Sequence, residues 1–320
     1  MPPAYFLLTE PAFRNYLWGG RKLQAVLGKS LPVDDVWAES WEIVDHAEHQ
    51  SVIRNGEFAG LSLRQVSEAH PQWLFGDSKI KRLPLLLKYL DCQRVLSVQV
   101  HPDDDYGLRM SPPDLGKTEA WYIVDAEPGA VLYAGLHQGV TKEHLRDAIA
   151  AGIVESCLHR IEPNRGDCVF IPAGTVHALG AGLLVAEIQQ ASNTTFRLFD
   201  WNRLEANGKP RALHIDQSLE VIDFKSGPRP LQTPTATDQP GRERLVSCKK
   251  FNFDRIQGSN AIAGDGRLHL VTAPYGGVEL ACSPETWQLA TGQSAILPAA
   301  MTTVQAKVRE NCILLDMYVP

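Results

Sequence analysis

Twenty-five glycines and twenty-one prolines punctuate the 320 residues of this chain. Between them lie short runs such as VLSVQV, AWYIV, AVLYAGL, DCVFI and LLVAEI, rich in β-branched and aromatic residues. Glycine and proline break helices and shape turns, so the spacing predicts strands joined by turns, closed into a sandwich or barrel. Helical character is confined to two stretches. One is LSLRQVSEAHPQWLFG at 61–76; the other is TKEHLRDAIAAG at 141–152, where Thr141 can cap the first turn and Gly152 can end the last. The segment GPRPLQTPTATDQPGRE at 227–243 is rich in Pro and Thr and poor in apolar residues, as a connector is. It divides the expected domains into 1–230 and 231–320.

Charge and cysteine usage remove whole classes of function. With 31 Lys and Arg against 37 Asp and Glu, the net charge is −6, which leaves no general basic face for nucleic acid. A small anionic substrate stays possible, because two or three local cations suffice for a pocket. No apolar run reaches the roughly 18 residues that a membrane helix needs, and the start shows no basic stretch leading into an apolar one. The six cysteines, Cys92, Cys157, Cys168, Cys248, Cys282 and Cys312, have no CxxC or other metal spacing. That pattern fits free thiols in a reducing compartment, and the expected location is the cytoplasm.

The stretch GDCVFIPAGTVHALG, residues 166 to 180, has the spacing G-x5-P-x-G-x2-H and ends on His177. A lone histidine in a β run is ordinarily a packing residue. Here the glycine opens a strand, Pro172 and Gly174 shape a tight turn, and the histidine enters the next strand facing inward. This is the second motif of the cupin barrels. A first motif lies upstream in VLSVQVHPDD, where Gln99 and His101 are two residues apart and therefore share a strand face. In GKTEAWYIV, Lys117 and Glu119 share a face in the same way, and the loop DDDYGLRMSPPDL between the motifs is an insertion. Gln99, His101, Glu119 and His177 together make a mixed nitrogen and oxygen site that leaves room for water or substrate. Such a set suits Zn²⁺ best, with Fe²⁺ and Mn²⁺ as alternatives.

The first spacing recurs at Gly292, Pro298, Ala300 and Thr303, with SAILP matching CVFIP in pattern. The glycine of the turn is now alanine and the histidine is threonine. The reading is a duplicated β unit whose second copy kept the fold and lost the site. The expected architecture is a mainly β chain: a cupin-type jelly-roll barrel with a helical insertion, followed by a degenerate cupin-like barrel.

YLWGGRKL, ESWEI, LPLLLKYLD, SVQVHPDDDYG, GKTEAWYI, GDCVFIPAGTVHALG and EIQQASNTTFRLFDWNR, taken in order over roughly residues 14 to 203, resemble the type I mannose-6-phosphate isomerases in their short bacterial form. The C-terminal quarter matches weakly. The resemblance implies a reversible interconversion of mannose 6-phosphate and fructose 6-phosphate, with one zinc ion held by Gln99, His101, Glu119 and His177. It also carries Lys88, Lys117 and Arg197 over as active-site cations for a small phosphosugar. Each has a plainer reading, as a snorkelling lysine or a buried ion pair. Where the family commonly has an acidic residue after a serine, this chain has Asn193, which cannot act as a base. Glu187, a lysine or a metal-bound hydroxide remain open as the base. A cupin oxygenase using iron and a non-catalytic sugar-phosphate-binding protein are the competing readings, and the oligomeric state stays open. His46 and His49 have HxxH spacing but read as a polar turn, and His269 reads as an ordinary packing or surface residue.

Overall fold

The computed structural model describes residues 3–32, 35–204, 208–283 and 285–320. It is mainly β, with antiparallel sheets and short helices, as expected. The chain divides into two compact units: residues 1–16, 21–90 and 233–320 form the first, and residues 17–20 and 91–232 the second. The connector at 227–243 falls where the chain leaves the second unit. Residues 21–90, assigned from sequence to the metal-binding domain, group instead with the C-terminal segment. The cause is contact between segments distant in sequence: Lys29 Nζ donates to the carbonyl of Gly292 at 2.6 Å, and the amides of Ala299 and Ala300 donate to the carbonyls of Leu74 and Trp73, both at 3.0 Å.

In the second unit a five-stranded antiparallel sheet runs in the order Phe196–Phe199, Val98–Val100, His177–Leu179, Leu132–Leu136 and Leu158–Ile161. Alternation gives it two different faces. Val98, Val100, Ala178, Phe196 and Leu198 point to one side, where they pack with Leu145 and Ala148 of the helix Lys142–Ala151 and Leu219 of the helix Ile215–Val221. Fully burying such a side chain contributes about 2 kcal/mol, so this face fixes the register, and with it the direction of the residues between. Thr141 caps the helix Lys142–Ala151 by accepting from the His144 amide, and Gly152 ends it in the left-handed conformation, as the sequence predicts. The helix Ile215–Val221 has no side-chain cap and was not expected. A second group of strands in this unit sets Glu119–Ala126 between Leu183–Gln190 and Cys168–Ile171.

The first unit holds a seven-stranded sheet and a four-stranded sheet drawn mainly from residues 235–318. A buried cluster that includes Val271, Leu280, Leu297, Val304, Ala306, Val308 and Leu314 draws on both. On Val304–Val308 the apolar residues are buried and Gln305 and Lys307 are exposed, the period of a half-buried strand. This is the second, degenerate barrel. The helical stretch at 61–76 is two helices, Leu63–Ala69 and Pro71–Phe75. Pro71 offers no amide hydrogen and disfavours a helical His70, so the first helix stops and a second starts at the proline. The connector is not free chain either, since Thr235–Ala236 pairs with Arg242–Ser247.

Candidate metal centre

The polar face of the five-stranded sheet carries the expected ligands. His177 lies directly opposite Gln99 across one strand pair, and Arg197 lies opposite Gln99 across the next, so the three side chains share a face with His101, two residues beyond Gln99. The turn that delivers His177 depends on Gly174. Its φ is +82°, its amide donates to the carbonyl of His101 at 2.8 Å, and a Cβ there would come within 2.9 Å of the Val221 carbonyl oxygen. Ala300, the counterpart in the second copy, has no positive φ. The strand and its closing turn recur, but the left-handed corner that aims a ligand does not.

Glu119 opens its strand and meets both histidines. His101 Nε2 lies 3.5 Å from Oε2 and His177 Nε2 lies 3.4 Å from Oε1. The ligand atoms of His101, Glu119 and His177 all lie within 4.8 Å of one another, and the three residues are buried. Each imidazole is oriented from behind: His101 Nδ1 is 2.9 Å from the carbonyl of Thr194, and His177 Nδ1 is 2.9 Å from that of Thr175. A proton on each Nδ1 leaves each Nε2 lone pair facing the carboxylate. Burial pulls the His177 imidazole down to about 4, against the opposing pull of the Thr175 carbonyl, so the ring is neutral at neutral pH. Two imidazoles and one carboxylate, converging where all three residues are buried, form a donor set able to hold a divalent transition ion. Gln99 Nε2 stands 3.2 Å from His177 Nε2, and a half-turn of the amide would present its oxygen there instead.

Lys117 is buried, with Nζ 3.2 Å from Glu119 Oε2, on the side that alternation predicted. Arg197 Nη1 donates to the carbonyl of Ala212 at 2.9 Å. Lys88 belongs to the first unit, where it is buried on the strand Leu85–Cys92 with Nζ 3.6 Å from Glu39 Oε2. Glu187 accepts from the indole Nε1 of Trp121 at 3.0 Å, and that indole packs edge-on against the His177 ring. Among the described residues His46 and His49 join no metal-binding cluster. His269 differs from its sequence reading: it is buried between Asp316 and Asp265, at 2.8 and 3.2 Å.

A model of the type I phosphomannose isomerase catalytic domain matches residues 6–129. The probable mannose-6-phosphate isomerase GmuF of Bacillus subtilis is 45% identical over 297 residues, which are 92% of this chain and 93% of that relative. The chain belongs to the type I phosphomannose isomerases. The mannose-6-phosphate isomerase of Streptococcus mutans is 36% identical, over 93% of this chain and 95% of its own. The crystal structure of mannose 6-phosphate isomerase from Bacillus subtilis has the same fold, with a TM-score of 0.89 at 32% identity over 98% of this chain and 99% of that one. As a member of the family the chain is an isomerase. Sequence reasoning missed the carbonyls of Thr194 and Thr175 behind the two histidines, since a backbone acceptor leaves no residue signature. The indole of Trp121 was within reach, because it lies two residues beyond Glu119 and so shares its face.

Proposed function

We propose that this isomerase interconverts mannose 6-phosphate and fructose 6-phosphate through an enediolate, with zinc held by His101, His177, Glu119 and Gln99. The convergence of His101, Glu119 and His177 beside Lys117 carries the reading. Bound zinc would act as a Lewis acid on the sugar oxygens. The rest of the chemistry falls to the side chains. Lys117, held by Glu119, offers a proton or a positive charge to the ring oxygen during opening or to the oxygen that gains charge later. Arg197, on the same sheet face as Gln99, orients the sugar and stabilises the enediolate. Lys88 is retained as a contact of the phosphosugar on the family resemblance alone. Asn193 takes no proton in this scheme.

Conversion in deuterated water, followed by NMR, tests the proposal. Fructose 6-phosphate carrying solvent deuterium at C1 is the expected product. No deuterium at C1 even after the two sugars have been interconverted many times would contradict an enediolate whose proton exchanges with solvent, and no conversion would contradict the reaction itself.

A further inference from the structure

We infer that Asp114, in the insertion between the two metal-site motifs, is a positioning residue that holds His101 in its ligating orientation. Three donors converge on its Oδ2: the hydroxyls of Ser192 and Thr194, both at 2.8 Å, and the amide of Asn193 at 3.1 Å. Its Oδ1 accepts from the amide of Leu115 at 2.8 Å, and its own amide donates to the Gly107 carbonyl at 3.1 Å, which fixes the carboxylate within the insertion. The segment it grips ends on Thr194, whose carbonyl meets His101 Nδ1 at 2.9 Å. The chain of contacts therefore runs from Asp114 through residues 192–194 to the ring that faces Glu119. Three residues beyond Thr194 comes Arg197, so the same grip sets the start of the strand that bears it.

A second carboxylate of the insertion supports the arrangement. Asp104 Oδ1 accepts from Gln190 Nε2 at 2.8 Å and from the Gly116 amide at 2.9 Å, while Gln190 Oε1 accepts from the Thr118 amide at 3.1 Å. Asp104 thus ties residue 190 to the approach to Glu119, and Asp114 ties residues 192–194 to the loop behind His101. The insertion is accordingly the outer support of the ligand set. Partners of this kind, which fix a ligand's tautomer and ring plane, are worth about 10- to 100-fold in metal affinity or activity when lost. The acidic group that gathers this corner comes from position 114, with Asn193 contributing its backbone amide.

The inference rests on the metal-binding reading above, and the test separates the two. Zn²⁺ affinity is measured on the full chain by competition with a chromogenic chelator, for the wild type, Asp114→Ala, Asp114→Asn, the pair Ser192→Ala/Thr194→Val, and His101→Ala. The metal-free unfolding midpoint of each is measured alongside. The expected result is affinity lowered about tenfold or more in Asp114→Ala and in the hydroxyl pair. Asp114→Asn, which keeps one acceptor oxygen, recovers part of the loss, and the metal-free midpoints stay close together. If His101→Ala loses zinc while Asp114→Ala and the hydroxyl pair bind like the wild type, the positioning role is overturned and the metal site stands. If the wild type binds no better than His101→Ala, the metal reading fails and the inference falls with it. Should Asp114→Ala not fold, the hydroxyl pair decides the matter alone.

Discussion

Lys117 Nζ stands 3.2 Å from Oε2 of Glu119, the carboxylate that also meets His101 and His177. A buried cation beside a metal-binding carboxylate has two possible uses, neutralising the carboxylate or acting on substrate, and they separate in one variant. Lys117→Ala keeps two imidazoles and the carboxylate, so it is expected to bind metal like the wild type. It should lose kcat by on the order of 10²-fold, the low end of what a positioned proton donor supplies. Equal losses of metal and activity would make Lys117 a structural partner of Glu119.

Glu119→Gln is the complementary change. It removes the anionic ligand while preserving the shape, so zinc affinity should fall by more than the roughly 10- to 100-fold that accompanies loss of a supporting partner, read as zinc lost on dialysis. Zinc retained at the wild-type level would remove Glu119 from the ligand set.

Gly174→Ala places a Cβ where φ is +82° and the Val221 carbonyl is 2.9 Å away. The expected cost is about 1–3 kcal/mol in unfolding free energy, read from urea denaturation, together with weaker metal binding because the turn delivers His177. Ala300→Gly at the counterpart position lacks that constraint. It should cost no more than about 1 kcal/mol, the flexibility penalty of glycine.

His269 makes stability depend on pH. Burial opposes its charge, but Asp316 and Asp265 override burial and raise the imidazole to about 9. A folded value above the unfolded value of about 6.5 stabilises fully below pH 6.5, and the contribution disappears as pH rises towards 9. Its size is on the order of 3 kcal/mol. Unfolding of the metal-free protein should show the wild type more stable than His269→Gln at pH 6, with the gap closing by pH 9 to 10. A gap that does not change with pH would mean that His269 is neutral in the fold.

The candidate site was legible from sequence because its residues lie on strands. Two-residue spacing in QVH and KTE settles which side chains share a face, and the glycine of PAGTVH marks a corner that only a positive φ allows. The grouping of residues 21–90 with the C-terminal segment was not legible, because it rests on backbone hydrogen bonds between positions far apart in the chain, such as the Ala299 and Ala300 amides to the carbonyls of Leu74 and Trp73. His269 was passed over for a related reason. Its partner Asp316 sits inside the apolar run ILLDMY, and only the strand pairing brings the two together. Pro71 marks the break between Leu63–Ala69 and Pro71–Phe75, but the helical spacing on either side of it reads as one continuous stretch.

The most direct test of the account is the conversion of mannose 6-phosphate to fructose 6-phosphate by protein of known metal content, assayed before chelation, after chelation and after zinc is restored. The account predicts activity that disappears with the metal and returns as zinc approaches one ion per chain. Full activity in metal-stripped protein, or none in protein fully loaded with zinc, would contradict it.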